Sequence, residues 1–228
     1  SAWCIEETAY RVIHSGEDET GLGRWAWSLL RGKDSIKLRV IAAYRPVRSS
    51  SGATTVWNQQ HTYFLEKGQG TCPRILFNEH LTAAIKTWCE EGDQIILGID
   101  YNDILNGQSD LETRLLDLGI SNVIQQNHQS PTPPTRTPGK NTIDSIFCSS
   151  SLIPSKCGYM PFQSNYDHRP TWIDVPYTLA LGHKMPPVVR PQMRRLQISN
   201  TASAKRYTDI YWKYITEHNL AIRAEELW

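Results

Sequence analysis

The chain lacks the features that mark several common classes of protein. Its five cysteines are odd in number and include no Cys-x-x-Cys pair, which argues against a disulfide framework and against a zinc ribbon. No stretch approaches the roughly 20 apolar residues of a membrane span, and neither a Gly-x-x-x-x-Gly-Lys phosphate loop nor an internal repeat is present. We therefore expect an intracellular protein of the nucleus or cytoplasm, with no membrane association.

An excess of charge of one sign is also missing. The chain has 24 Lys and Arg against 23 Asp and Glu, which gives a net charge of +1. No global field marks it as a nucleic-acid binder, although a local basic patch could still serve that purpose. Its 228 residues suffice for one large domain, or for one domain with an appendage.

Hydrophobic patterning alternates between strands and helices, as in α/β proteins. Strands are predicted at 10–14, 25–30, 36–44, 94–99, 142–148, 158–162 and 169–175, and helices at 55–66, 75–90 and 110–118. The proline-rich segment 130–140 excludes regular structure, and a loop of this length is usually functional or disordered.

The end of the chain differs in composition from the rest. Residues 184–206 contain six basic residues and no acidic one, a pattern typical of an extended basic linker. Apolar residues recur at helical spacing from Tyr207 to Ile215. We predict a domain over 1–183, a basic linker over 184–206 and a C-terminal amphipathic helix over 207–228.

One predicted strand is buried and ends in acid. Residues 93–103 read Asp-Gln-Ile-Ile-Leu-Gly-Ile-Asp-Tyr-Asn-Asp, and their apolar β-formers predict a strand covered on both faces. A carboxylate at the end of such a strand is costly to desolvate unless a metal, a cation or a reacting group compensates it. Asp100 and Asn102 are therefore candidates for function. The alternative is that they only turn the chain, because Asp and Asn favour turns.

Polar or acidic residues stand at the ends of four predicted strands. They are Tyr44 with Arg45, Asp100 with Asn102, Asp144, and Asp167 with His168. Metal-assisted phosphodiester hydrolysis needs such a set: carboxylate oxygens hold Mg²⁺, an aspartate positions and deprotonates water, and imidazole, amide and phenol groups contact the phosphate oxygens.

The order of these motifs resembles that of the endonuclease/exonuclease/phosphatase superfamily. The motifs are the strand-end Tyr, Asp-x-Asn, Ile-Asp-x-Ile, and Asp-His before a hydrophobic last strand. The resemblance covers about residues 21–176 and is greatest for the endonuclease domains of non-LTR retrotransposons, which belong to longer, reverse transcriptase-associated chains. It implies an α/β fold, a four-layer sandwich of two packed mixed β-sheets flanked by helices. It also implies Mg²⁺- or Mn²⁺-dependent hydrolysis of nucleic acid, with DNA expected before RNA.

The resemblance assigns roles to the first strand ends. Ala43-Tyr44-Arg45-Pro46 is similar to the family's Tyr-Ala-Pro segment, whose tyrosine contacts the scissile phosphate. Asp100 and Asn102 match Gly-Asp-x-Asn, in which the aspartate orients the attacking water and the asparagine holds the phosphate. Arg45 is a candidate for substrate binding.

The later motifs supply the histidine and its neighbours. By resemblance, Asp167 lies near the metal and His168 donates to the phosphoryl oxygen. A carboxylate partner would fix the tautomer of His168 and raise its pKa, and Asp144 is the candidate for that partner. Arg136 and Lys140, in the proline-rich loop, are candidates for contacts with a nucleic-acid backbone.

The chain departs from the family pattern most at its beginning. The family has one strand that ends in Asn and another that ends in Gln-Glu, and the glutamate of the second is the principal metal ligand. In this chain Glu7 is the candidate for that glutamate, but the two strands are not found around it. We therefore expect the domain to be truncated at its N-terminus. Two alternatives stay open: a catalytically impaired remnant that binds nucleic acid or acts as a scaffold, and an enzyme of the same fold acting on a phosphoinositide or sphingolipid.

Overall fold

The computed structural model describes residues 11–49, 52–70, 72–128, 131–182, 200–220 and 222. The chain divides into two compact units, Ser1–Met185 and Pro186–Trp228. The candidate ligand Glu7 lies outside the described residues, as does most of the predicted basic linker.

The first unit alternates strands and helices, as the hydrophobic pattern predicts. Its strands are β1 (Val12–Glu17), β2 (Trp25–Arg31), β3 (Lys37–Tyr44), β4 (Asp93–Asp100), β5 (Ile120–Asn122), β6 (Asp144–Ser149), β7 (Lys156–Tyr159) and β8 (Thr171–Asp174). Its helices are α1 (Val56–Glu66), α2 (Pro73–Glu90), α3 (Asp110–Asp117), α4 (Val123–Asn127) and α5 (Tyr177–Leu181). The short elements β5, α4 and α5 are not among those that the sequence predicts.

Six strands form one mixed sheet in the order β1-β2-β3-β4-β6-β5. The β3–β4 pair is parallel, and the other neighbours are antiparallel. Strands β7 and β8 form a second sheet, which within the described part of the chain is an antiparallel pair. The expected α/β class, with two sheets and flanking helices, is confirmed.

Strand β4 lies inside the larger sheet and is covered on both faces, as its sequence predicts. Successive side chains of a strand point to opposite faces, so each strand contributes to two cores. One core joins the sheet to α2 and α3, and its members include Ile41, Phe77, Leu81, Ile85, Ile95, Leu97, Ile99, Leu111, Leu115 and Phe147. The other core lies toward β7, β8, α4 and α5, and its members include Leu38, Val40, Ile96, Ile124, Ile146, Cys148 and Leu181.

A buried ion pair fixes the register of β3 against β4. Arg39 donates to Asp93 Oδ2 from Nη2 at 2.6 Å and from Nε at 2.9 Å. Its guanidinium carbon lies 4.2 Å from the ring centroid of Trp27 and 4.4 Å from that of Trp88. A register slip would leave a buried charge without its partner, which typically costs about 3–5 kcal/mol. The pair therefore holds the opposite ends of these strands, where Tyr44 faces Asp100, in a defined position.

The second unit contains helix α6 (Thr201–Glu217). It begins six residues before the predicted start, because the Asn200 side chain caps it by accepting from Ser203 N at 3.0 Å. Residues 201–206, which the sequence analysis placed in the linker, are therefore helical. The predicted apolar positions, Tyr207, Ile210, Tyr211 and Tyr214, are exposed within this unit. Among the described helices of the chain, none is both long and apolar enough to cross a membrane.

Candidate active site

Three neighbouring strands end in polar residues that stand side by side. Tyr44 of β3 is the register partner of Asp100 of β4, and Asp100 is in turn the register partner of Asp144 of β6. Register partners point to the same face of a sheet. These three side chains therefore share the face that β7 and β8 cover.

A cavity of about 810 Å³ lies over these strand ends. Its lining includes Tyr44, Gly98, Asp100, Asp144, Tyr166, Asp167, His168 and Arg169. Gly98 has no side chain and lies two residues before Asp100, on the same face of β4, so the floor of the cavity stays open there. The structure thus brings together five of the residues that the sequence singled out, three from the large sheet and two from the segment before β8.

His168 is paired with Asp144, as the sequence analysis expected. The distance from His168 Nδ1 to Asp144 Oδ2 is 2.9 Å. Because the partner is a carboxylate, Nδ1 donates and the proton lies on that nitrogen, which leaves Nε2 for another contact. The imidazole is thereby held in one orientation.

The two carboxylates at the strand ends resist ionisation. Burial, and then the nearby charge of Asp144, raise the pKa of Asp100 to about 6. The charge of His168, the Asn102 amide and the charge of Arg136 act in the opposite direction. Burial also raises the pKa of Asp144, against the hydrogen bonds that it receives from Thr135 and His168. The neighbouring positive charges and hydrogen bonds therefore do not fully offset the burial of the two carboxylates and the repulsion between them.

This group has the composition of a cation site. Donor atoms of Asp100, Asp144 and His168 lie within 4.8 Å of one another. Carboxylate oxygens are the ligands that Mg²⁺ prefers, and a divalent cation would offset the repulsion that raises the pKa of Asp100. The residues present therefore fit such an ion.

Asp167, the residue predicted to lie near the metal, is not part of that group. Its carboxylate is exposed and accepts from Arg136 Nε at 3.2 Å. That hydrogen bond lowers the pKa of Asp167. Asp167 and His168 both line the cavity, but Asp167 pairs with Arg136 and only His168 contacts Asp144.

The sequence allowed two interpretations of Asn102, as a turn residue and as a residue of the functional site, and the structure gives it contacts of both kinds. Its backbone N–H donates to Asp100 Oδ1 at 3.1 Å, which is a turn contact, and its φ is 50°. Its side-chain Nδ2 donates to the carbonyl of Arg45 at 2.8 Å. Asp100 and Asn102 thus do turn the chain, and the same turn holds the Asp100 carboxylate at the cavity.

Of the three predicted substrate-binding residues, one lies beside the cavity, although it is not among the residues that line it. Arg136 forms a β-bridge with His168, next to its contact with Asp167. Arg45 is buried, and its guanidinium donates to Asp103 at 3.3 Å and covers the ring of Tyr101. Lys140 lines a separate cavity of about 310 Å³. Arg45 and Lys140 therefore lie outside the candidate active site.

Thr135 is a site residue that sequence reasoning missed. It is completely buried, and its Oγ1 accepts from the backbone N–H of Ile143 at 2.9 Å and of Asp144 at 3.0 Å. Its own carbonyl accepts from Arg169 N at 2.9 Å. Thr135 thus ties the start of β6 to the segment that carries His168. Most of its partners are backbone groups, which no residue pattern reveals, and its place in a long proline-rich loop is the one available signal.

Comparisons with known proteins identify the class of fold. No protein-family model and no curated protein matches the sequence. Solved structures do match, and the chain has the endonuclease/exonuclease/phosphatase fold.

Two solved structures illustrate the similarity. The 3′ phosphatase NExo from Neisseria, bound to a product DNA hairpin, superposes with a TM-score of 0.50 at 15% identity, over 72% of this chain and 71% of that chain. An endonuclease/exonuclease/phosphatase protein from Bacteroides vulgatus gives a TM-score of 0.49 at 13% identity, over 72% of this chain and 65% of that chain. The expected fold is confirmed by the first of these.

We predict that Asp100→Asn stabilises the protein near neutral pH. The folded pKa of Asp100 is raised from 3.8 to about 6, so the folded state keeps its proton longer than the unfolded state. Stability from this group is therefore present in acid and lost as the pH rises through about 4 to 6. Asparagine avoids that loss, and we expect a gain on the order of 2 kcal/mol in urea unfolding at about pH 7.5, which shrinks toward about pH 4.

Asp110→Asn is the matched control for that experiment. Burial opposes the ionisation of Asp110, but hydrogen bonds from Asn78 and Arg114 outweigh it and lower the pKa of its carboxyl group. The same chemical change should therefore destabilise the protein near neutral pH. A loss of stability in Asp100→Asn at about pH 7.5 would contradict our account of the site.

We also predict that Thr135→Val costs more than Thr135→Ser. Valine keeps the shape but leaves two buried N–H groups without an acceptor, at about 1–3 kcal/mol for each group. Serine keeps the hydroxyl and loses one methyl group, worth about 0.8 kcal/mol. Urea unfolding of both variants tests the difference, and equal losses would show that the hydroxyl has no structural role.

Proposed function

We propose that this protein is a Mg²⁺-dependent endonuclease of retroelement type, which hydrolyses phosphodiester bonds of nucleic acid. The observation that carries the proposal is the group of Asp100, Asp144 and His168 at adjoining strand ends, with donor atoms within 4.8 Å of one another, in a cavity of about 810 Å³. Two carboxylates and a carboxylate-bound imidazole are suited to moving protons around a phosphate. The fold shared with NExo supports the same class of reaction.

Asp100 acts on the attacking water. With a pKa of about 6, its carboxylate is largely ionised at neutral pH and is more basic than an ordinary aspartate. It can therefore orient a water molecule and accept its proton. The hydrogen bond from Asn102 N to Asp100 Oδ1 at 3.1 Å keeps one carboxylate oxygen in place and leaves the other to face the water and a bound cation.

His168 and Tyr44 act on the phosphate. The contact of Nδ1 with Asp144 directs Nε2 of His168 outward, and the carboxylate stabilises the imidazolium that donates to a phosphoryl oxygen. Tyr44, on the other side of Asp100, offers its phenol from a partly exposed position in the same cavity. Mg²⁺ or Mn²⁺ held by Asp100 and Asp144 would neutralise charge on the phosphate oxygens.

Nucleic acid is the proposed substrate, with DNA before RNA. NExo is described with a product DNA hairpin, and this chain shares its fold. Arg136, whose backbone bridges His168 and whose exposed side chain pairs with Asp167, offers a further positive charge for a phosphate backbone.

We predict that Asp100→Ala and His168→Ala each lower plasmid nicking on the order of 10²-fold or more in the presence of Mg²⁺. The first change removes the group that orients water, and the second removes the donor to the phosphate. His14→Ala, at an exposed position of β1, is the matched histidine control and should leave nicking unchanged. Nicking unaffected by both site variants would refute the proposal. A protein that binds DNA and metal but never nicks would instead be an impaired remnant.

We predict that Mg²⁺ raises the melting temperature of the wild type by a few degrees at saturation, since an ion that binds the folded state stabilises it. The shift should be greater above about pH 6, where Asp100 is ionised, and should be absent in Asp100→Asn. Differential scanning fluorimetry with Mg²⁺, and then with EDTA, tests this. An equal shift in the variant would place the ion elsewhere.

A further inference from the structure

A second cavity adjoins the candidate active site and is not used by the proposed reaction. It measures about 650 Å³ and lies among the end of β3, helix α1 and the start of α2. Its lining includes Arg45, Arg48, Trp57, His61, Arg74 and Asp103.

This cavity is positively charged although the whole chain is nearly neutral. Asp103 is shared by two arginines, since its Oδ2 accepts from Arg74 Nη2 at 2.5 Å and from Arg45 Nη1 at 3.3 Å. Arg48 adds a third guanidinium to the same lining, so one carboxylate faces three cations. Focused positive charge in a concave surface attracts anions, and this is the local basic patch that the overall composition left open.

The two cavities are connected through the backbone. Arg45 follows the site residue Tyr44, Asp103 follows Asn102, and Asn102 Nδ2 donates to the Arg45 carbonyl at 2.8 Å. Tyr44 and Asp100 thus line the candidate active site, whereas Arg45 and Asp103, one and three residues further along the same two segments, line the second cavity. A strand whose scissile phosphate lies at Asp100 and His168, and which continues past Tyr44 and Arg45, would bring a neighbouring phosphate to the basic cavity.

Helix α1 adds ring surfaces to the positive charge. Trp57 and His61 are four residues apart, so they lie on the same side of the helix, and both line the cavity. Trp57 is half-buried and His61 is exposed. The helix start is fixed by Thr55, whose Oγ1 accepts from Asn58 N at 3.3 Å. Aromatic rings beside a basic groove are the surfaces on which unpaired bases stack.

We propose that the basic cavity is a second nucleic-acid subsite, which binds a phosphate and an adjacent unpaired base next to the scissile bond. The inference rests on the proposed function, because it takes the same strand to occupy both cavities. Arg48 supplies the phosphate contact that is not already shared with Asp103, and Trp57 supplies the stacking surface. The subsite favours substrates with a single-stranded segment beside the cleaved position.

The first test measures binding, independently of catalysis. Fluorescence anisotropy with a labelled DNA hairpin that carries a single-stranded tail should show about tenfold weaker binding for Arg48→Ala, with a salt dependence reduced by about one phosphate contact. Arg48→Lys should bind within about twofold of the wild type, because it keeps the charge. Trp57→Ala should bind about tenfold more weakly and Trp57→Phe close to the wild type, since a ring remains.

Arg31→Ala is the matched control, since Arg31 is exposed at the end of β2 that lies away from the site. It should bind DNA as the wild type does. Equal affinity of Arg48→Ala and the wild type would overturn the inference, as would an equal loss in Arg31→Ala, which would indicate diffuse attraction.

The second test separates the subsite from the reaction itself. Bis(p-nitrophenyl) phosphate is a small phosphodiester that cannot reach both cavities, whereas the tailed hairpin can. In Arg48→Ala, the ratio of kcat/KM for the hairpin to that for the small diester should fall about tenfold. A ratio equal to that of the wild type would overturn the inference. If the wild type hydrolyses neither substrate, the proposed function fails, and the anisotropy series still decides whether the subsite exists.

Discussion

The candidate site depends on two aspartates that the sheet holds directly opposite each other. Asp100 and Asp144 are register partners on antiparallel strands, an arrangement in which like charges repel. Both strands are fixed by the cores on either face, so the carboxylates cannot separate without moving the sheet. Burial and mutual repulsion raise the pKa of Asp100, and His168 gives only partial relief. Two carboxylates held this close together are suited to binding a cation, and the raised pKa of Asp100 suits it to accepting a proton.

The proline-rich loop holds the second half of the site in place. Prolines prevent regular structure within it, yet the loop pairs with the segment before β8 through backbone hydrogen bonds. Thr137 N donates to the Asp167 carbonyl at 2.8 Å, and Arg169 N donates to the Thr135 carbonyl at 2.9 Å. Because Thr135 also binds the first amides of β6, one residue sets the distance between Asp144 and His168. The loop is therefore a structural part of the site as well as its rim.

Much of the fold and of the site could be predicted, because both follow from strand patterns. The apolar run in β4 identified a strand covered on two faces, and polar strand ends identified Tyr44, Asp100, Asp144 and His168. Other features depend on partners that sequence does not encode locally. The hydroxyl of Thr135 binds backbone amides, and the early start of α6 depends on the cap at Asn200. The short elements β5 and α4, with three and five residues, are too brief for any periodicity to appear.

The position of Arg45 shows how alternation along a strand divides neighbouring residues between two cavities. Tyr44 and Arg45 are adjacent, so a motif places both at the site, but successive side chains of an extended chain point to opposite sides. Arg45 consequently turns toward Asp103 and Tyr101 and away from Asp100. At the end of β4, Asn102 has a left-handed backbone conformation. The turn that it makes directs Asp103 away from Asp100, just as Arg45 is directed away from Tyr44. Tyr44 and Asp100 therefore line the cavity that holds the carboxylates, whereas Arg45 and Asp103 line the cavity that holds the arginines.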